Sequence, residues 1–291
     1  MKESIRVIAR DGLQLSATWF IADNPQEKVI LINSATGVKQ QFYHDFASYL
    51  AKQGFNTYTF DYRGIGESKP EDLSSLLCDM KDWSKDVDAM IAHIGRVHSQ
   101  AKLFILGHSV GGQLIGMSSL VKRAEALVMI GSQTPYWRNY KGAWMKFKLL
   151  FFWYILIPFS TGLFQYFPAS KLRMFEDLPG NVARQWARWA KSSDYIFKEL
   201  PALRSSFKSL EQPTLLVSFT DDELAPHRAV MDLRKYYSQL KIDHWHLHPE
   251  DVLQKKIGHF GFFKKRMEPL AWKEVVSWIL KNTASPKYKA A

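Results

Sequence analysis

One serine stands between glycines in Gly107-His108-Ser109-Val110-Gly111, with a third glycine at Gly112. The stretch follows the apolar run Lys102 to Leu106 and precedes a helix-like segment predicted over 110–120. G-x-S-x-G between a strand and a helix is the context in which a serine is held on a sharp bend. That bend strains the serine backbone by on the order of 1–3 kcal/mol. Glycines two positions to either side remove side chains that would clash as helix and strand close on each other. The helix amino terminus adds partial positive charge beside any oxyanion that forms. A neutral hydroxyl is a poor nucleophile, so a base and an orienting carboxylate must follow.

Three acids, Asp221, Asp222 and Glu223, stand together after the strand-like Leu215 to Phe219. The histidines beyond them are His227, His244, His246, His248 and His259. His227 starts a predicted helix close behind the acids. His244, His246 and His248 alternate along one strand and so share a face. Metal coordination needs ligands converging from separate elements, which makes that trio a solvated strand face rather than a metal site. His259, in Gly258-His259-Phe260-Gly261-Phe262-Phe263, follows the last predicted strand and precedes the last helix.

Here the chain resembles the α/β-hydrolase superfamily, whose order is serine, acid, histidine. Members often carry the acid four residues before a proline in this loop, which matches Asp222 and Pro226 and leaves Asp221 as the rival one residue away. The superfamily places its catalytic histidine where His259 stands. GHFGFF looks like the corresponding segment of a subgroup grouped with serine-aminopeptidase-like (S33) proteins. Many members have His-Gly after the third strand, and the residue that follows offers a main-chain N–H to the oxyanion. This chain departs there, with Asn33-Ser34-Ala35-Thr36-Gly37. Alignment by the strand makes Ala35 the first donor, with Thr36 as the alternative, and Val110 the second. Each such donor is worth about 2.7–4 kcal/mol to the transition state. Asp61-Tyr62-Arg63-Gly64-Ile65-Gly66-Glu67-Ser68 also looks like a superfamily loop, and Asp61 and Arg63 read as side chains tying loops together. It is no phosphate cradle, since neither the Walker pattern nor a helix-opening G-x-G-x-x-G is present.

The elements that must position these residues alternate. Ile5 to Ala9 and Gln14 to Phe20 are strands joined through Asp11-Gly12, a hairpin turn signal. Lys28 to Asn33, Phe55 to Phe60, Lys102 to Leu106 and Ala126 to Ile130 are further strands. Helices are predicted over Phe42 to Gln53 and Asp79 to Arg96, from the spacing of their apolar residues. Strands alternating with helices give a mostly parallel sheet covered on both faces. The alternation stops over 134–208, which is rich in aromatic and basic residues and has no strand pattern. It resumes with strands at Thr214 to Phe219 and Ile242 to His248, and helices near His227 to Tyr237 and Pro269 to Leu280. The resulting organisation is an α/β core, 1–133 and 209–291, interrupted by a helical cap, 134–208. The resemblance covers the core.

Leu149 to Ile157 is nine apolar residues before Pro158. A bilayer span takes about 20 residues, so this segment is too short, and 147–167 is broken by Lys148, Pro158, Ser160, Thr161, Gly162 and Gln165. A cover packed over the serine is preferred to an apolar face dipping into lipid, or to a buried helix pair. Trp186 and Trp189 fit packing better than pocket lining.

Length and composition set the remaining bounds. With 291 residues, 46% of them hydrophobic, the chain can fill one large α/β core with a modest insertion. The net charge of +11 would suit nucleic acid, but the basic residues are scattered and no nucleic-acid motif accompanies them. Cys78 is alone and the amino terminus lacks an apolar signal region, which fits a cytoplasmic protein. The expected activity is therefore cofactor-independent hydrolysis of an apolar acyl ester, thioester or small amide. Ser109 attacks, His259 moves the proton, Asp222 orients His259, and Ala35 and Val110 receive the oxyanion. The competing classes are an idle scaffold serving as a binding protein and a lipase-like enzyme acting at a lipid surface.

Overall fold

In the computed structural model, which describes residues 1–24 and 27–283, the alternating pattern becomes one eight-stranded sheet. Its chain-ordered strands are β1 (Lys2–Ile8), β2 (Gln14–Phe20), β3 (Lys28–Asn33), β4 (Asn56–Phe60), β5 (Lys102–His108) and β6 (Ala124–Ile130). A two-stranded patch, β7 (Tyr166–Phe167) and β8 (Leu178–Pro179), lies apart, and β9 (Pro213–Phe219) and β10 (Lys241–Leu247) complete the large sheet. The order across it is β1-β2-β4-β3-β5-β6-β9-β10. β1 and β2 pair antiparallel around Gly12, whose φ of +84° is the turn conformation that glycine adopts without strain. From β4 to β10 every pairing is parallel.

The helices are α1 (His44–Lys52), α2 (Met80–Val97), α3 (Val110–Ile115), α4 (Ala143–Phe151), α5 (Ile157–Phe164), α6 (Gly180–Ala190), α7 (Leu203–Lys208), α8 (His227–Arg234), α9 (Gly258–Gly261) and α10 (Lys273–Thr283). The continuous apolar runs of β3, β5 and β6 are needed because both faces of the sheet are covered. On one face Ile30, Ile32 and Phe104 pack with Phe46 of α1 and with Trp272. On the other, Leu31, Ile105 and Leu127 pack with Trp83 and Met90 of α2. α2 begins where a capping box at Asp79 and Asp82 satisfies its first amides.

Three local readings change. The helix predicted to run from 110 to 120 ends at Ile115, because the Gly116 N–H donates to the Tyr237 hydroxyl at 3.0 Å and the Phe207 ring fills the space beside Gly116. The 134–208 segment, read as free of strands, holds the short β7–β8 pair. Most consequentially, the apolar stretch judged too short and broken lies in an unbroken helix from Ala143 to Phe164, 22 residues. Residues Phe152–Leu156 form one wide π-type turn there, and Pro158 follows at the second position of α5, where the widened turn absorbs its missing N–H. By length and composition this helix is sufficient to cross a membrane. Its buried side, through Trp153, Ile157 and Thr161, rests on the body of the protein.

Candidate active site

Parallel strands bring the distant residues to one end of the sheet, because each strand's carboxyl end leads into a loop on the same edge. β5 ends at His108 and α3 starts at Val110, so Ser109 is the single residue of the bend. Its φ of 52° and ψ of −115° are a conformation that a non-glycine residue adopts only under strain. The glycines around it are required by contact. A Cβ on Gly111 would lie 2.3 Å from the Asn33 carbonyl oxygen, one on Gly107 2.4 Å from the Gly112 nitrogen, and one on Gly112 2.0 Å from the Ser132 hydroxyl. The Ser109 N–H is held by the Ile130 carbonyl at 2.9 Å.

β9 delivers the acids. Asp222 is buried; its Oδ2 lies 2.8 Å from His259 Nδ1 and its Oδ1 accepts the Leu224 and Ala225 N–H groups, each at 2.9 Å. Both carboxylate oxygens are thus fixed, and Nδ1 of His259 carries the proton it donates. Asp221 turns the other way and accepts the Ile257 and Gly258 N–H groups at 2.8 and 3.0 Å, fastening the loop that carries His259. The two acids divide the work of placing one imidazole. Glu223, the third acid of the run, is exposed. A cleft of about 560 Å³ opens against Asp222 and His259, with Leu224, Ile257 and Phe260 among its walls.

A buried polar chain runs behind Ser109. The Ala35 N–H donates to the Tyr43 hydroxyl at 2.8 Å, and that hydroxyl is 2.9 Å from His108 Nδ1. His108 Nε2 lies 3.0 Å from the His259 carbonyl oxygen. A carbonyl only accepts, so Nε2 of His108 carries the proton and Nδ1 accepts from Tyr43. Burial holds the His108 imidazole well below its ordinary range, hence neutral, and pushes the Tyr43 phenol up.

Residues 24–249 match the family described as "Serine aminopeptidase, S33". The chain belongs to this family. Over 116 residues it is 32% identical to "Uncharacterized protein YfhR" of Escherichia coli (strain K12), a match covering 38% of this chain and 39% of that protein. The chain therefore spans about two fifths of the length of the curated relatives it matches. Among solved structures, the fold is similar to "The structure of DcsB complex with its substrate analogue" at TM-score 0.65 and 16% identity, covering 97% of this chain and 100% of that one. It is also similar to Est1E from Butyrivibrio proteoclasticus with ferulic acid bound, at 0.64 and 19%, covering 96% and 99%. A third similar structure is the esterase EaEST from Exiguobacterium antarcticum, at 0.62 and 15%, covering 95% and 99%. The fold is that of the α/β-hydrolases.

Within this S33 member the loop after β3 differs from the sequence reading in one respect. The Ala35 N–H, expected to face an oxyanion, is already engaged by Tyr43. The next residue, Thr36, is buried, and its hydroxyl has no hydrogen-bond partner among the described residues. Val110 opens α3, so its N–H has no acceptor within the helix. Tyr43 is not singled out by the sequence, where nothing local marks its hydroxyl. His108 was visible only as the variable residue of the motif.

The remaining candidates lie elsewhere. His244 Nε2 and His246 Nδ1 both meet the Ser218 hydroxyl, at 2.8 and 2.7 Å, and the His248 ring meets Thr220. Among the described residues no three His, Cys, Asp or Glu side chains converge as metal ligands. Arg63 joins Asp86 and Asp11, and Asp61 accepts the Gln40 and Glu67 N–H groups, so both hold loops together. Trp189 is buried with its N–H on Glu199, and Trp186 packs against Phe152 and Trp153.

Proposed function

We propose that the protein is a serine hydrolase acting on an apolar carboxylic ester or thioester through an acyl-enzyme. The observation that supports this reading is the His259–Asp222 contact at 2.8 Å, on the same sheet edge as a serine fixed at a strained bend. With Nδ1 donating to Asp222, Nε2 is left to accept the Ser109 proton as the hydroxyl attacks the substrate carbonyl. The imidazolium that forms is stabilised by Asp222, and it returns the proton to the leaving oxygen or sulfur as the carbonyl bond to that atom breaks. Water, deprotonated by the same imidazole, then hydrolyses the Ser109 ester. The main-chain N–H groups of Val110 and Thr36 receive the oxyanion, Ala35 being occupied.

An ester is favoured over a peptide amine because of how the four acids of the 134–208 segment are used. Glu176 pairs with Lys39, Asp177 with Lys69, Asp194 with Arg204, and Glu199 with Arg188. None is left to hold a substrate ammonium. The segment also leans on the loop after β3, where Phe175 lies against Gly37 and the Glu176 N–H donates to the Gly37 carbonyl at 3.0 Å. That contact suits a cap over the acyl site.

The test is turnover of a panel of p-nitrophenyl acyl esters, acyl thioesters and aminoacyl amides. The proposal expects ester or thioester turnover that falls about a millionfold in Ser109→Ala. Turnover equal in the variant would overturn it, and no turnover of any class in folded wild type would favour a binding scaffold.

A further inference from the structure

The helix from Ala143 to Phe164 turns a row of large apolar side chains outward. Trp144, Phe147, Phe151, Ile155, Phe159 and Leu163 recur at intervals of three and four, so they form one stripe along the helix. Their exposures run from 44% to 70%. Trp153, Ile157 and Thr161, on the opposite side, are buried against the body. At 1.5 Å per residue the stripe is about 30 Å long, well beyond the scattered apolar residues of an ordinary surface.

Charge tells what covers it. No Asp or Glu occurs between Glu125 and Glu176, whereas Arg138, Lys141, Lys146, Lys148, Lys171 and Arg173 all fall in that interval. Two of these cations lie over the rings of the helix: Lys148 over Trp144 at 5.3 Å and Lys171 over Phe164 at 5.6 Å. Lys191, from the end of α6, lies over Tyr154 at 4.8 Å. Apolar and aromatic side chains bordered by lysines, on a helix anchored along its other side, fit an interface between headgroups and acyl chains, with the helix in the membrane plane rather than across it. We propose that this stripe docks the protein on an anionic lipid surface.

The proposal stands apart from the hydrolytic reading, since it rests on no residue of the Ser109 site. Flotation with vesicles of phosphatidylcholine and phosphatidylglycerol tests it, with pure phosphatidylcholine vesicles alongside. The wild type should float with the anionic vesicles and at least about tenfold less with neutral ones or in 0.5 M salt, because screening removes the lysine contribution. Ile155→Asp/Phe159→Asp should lose flotation by about tenfold or more while its circular dichroism and melting temperature match wild type, as expected for exposed positions. Lys146→Glu/Lys148→Glu should lose it on anionic vesicles alone. Wild type that stays with the soluble fraction, or an apolar-stripe variant that floats as well as wild type, would overturn the proposal. So would a lipid-free dimer in sedimentation that Ile155→Asp/Phe159→Asp splits, since a second copy would then cover the stripe.

Discussion

The bend at Ser109 and the helix over 143–164 sit in one protein yet are built on opposite principles. Around Ser109 the backbone dictates identity: replacing hydrogen by a methyl at Gly107, Gly111 or Gly112 brings atoms within 2.4 Å or less. Along the helix a glycine such as Gly162 has nothing within 4 Å of where a Cβ would sit, and large apolar groups face outward, 44% to 70% exposed. The first region tolerates almost nothing because neighbouring atoms close on every one of those glycines. The second tolerates much, because a surface that meets a fluid partner needs area and charge rather than shape.

That contrast makes graded predictions. The largest effect belongs to the acids that fix His259. Asp222→Asn should lower kcat by about 10⁴-fold, since the amide favours the wrong imidazole tautomer. Asp221→Asn should cost only about tenfold, through a slacker loop at Ile257 and Gly258. Steady-state kinetics on the best ester checks both, and equal losses would mean the two acids are not divided as described. Next comes stability. Gly111→Ala should lower it by about 3 kcal/mol, the Cβ being forced against Asn33. Gly162→Ala should raise it by up to about 1 kcal/mol, as alanine replaces glycine on an open helix face. Denaturant unfolding of the pair is the measurement, and a Gly111→Ala protein as stable as wild type would contradict the required contacts.

The smallest effect is one of pH. Burial lowers His44 and His244 to about 4 and His108 well below its usual value, and all three lie outside 134–208. Their folded forms are neutral where the unfolded chain, near 6.5, takes up protons. Between pH 6.5 and about 4 the unfolded state therefore binds more protons, and stability falls as pH falls. A melting temperature lower by on the order of 5 °C at pH 5 than at pH 7 is expected, with part of the drop removed in His44→Gln. A flat profile would show that these rings are protonated in the folded protein.

Much of the first region was legible in the sequence. The alternation of strands and helices and the bend follow from local pattern, whereas Asp222, four residues before Pro226, and His259, between the last strand and helix, were chosen through the family resemblance. What was not legible was relational. Tyr43 claims the Ala35 amide only because α1 brings its hydroxyl back under the loop after β3. The helix over 143–164 runs through Pro158 only because a π turn precedes it, and turn width is not encoded in hydropathy. Lys148, which interrupts the apolar run in the sequence, lies in the structure over Trp144 and so borders the stripe instead of breaking it.

The central claim is that Ser109, activated by His259, is the nucleophile. Incubation with a fluorophosphonate probe, followed by peptide mass mapping, tests it most directly. Modification should map to Ser109, with none in Ser109→Ala and strongly slowed labelling in His259→Ala. Folded wild-type protein that stays unmodified, or that carries the probe on another residue, would contradict the account.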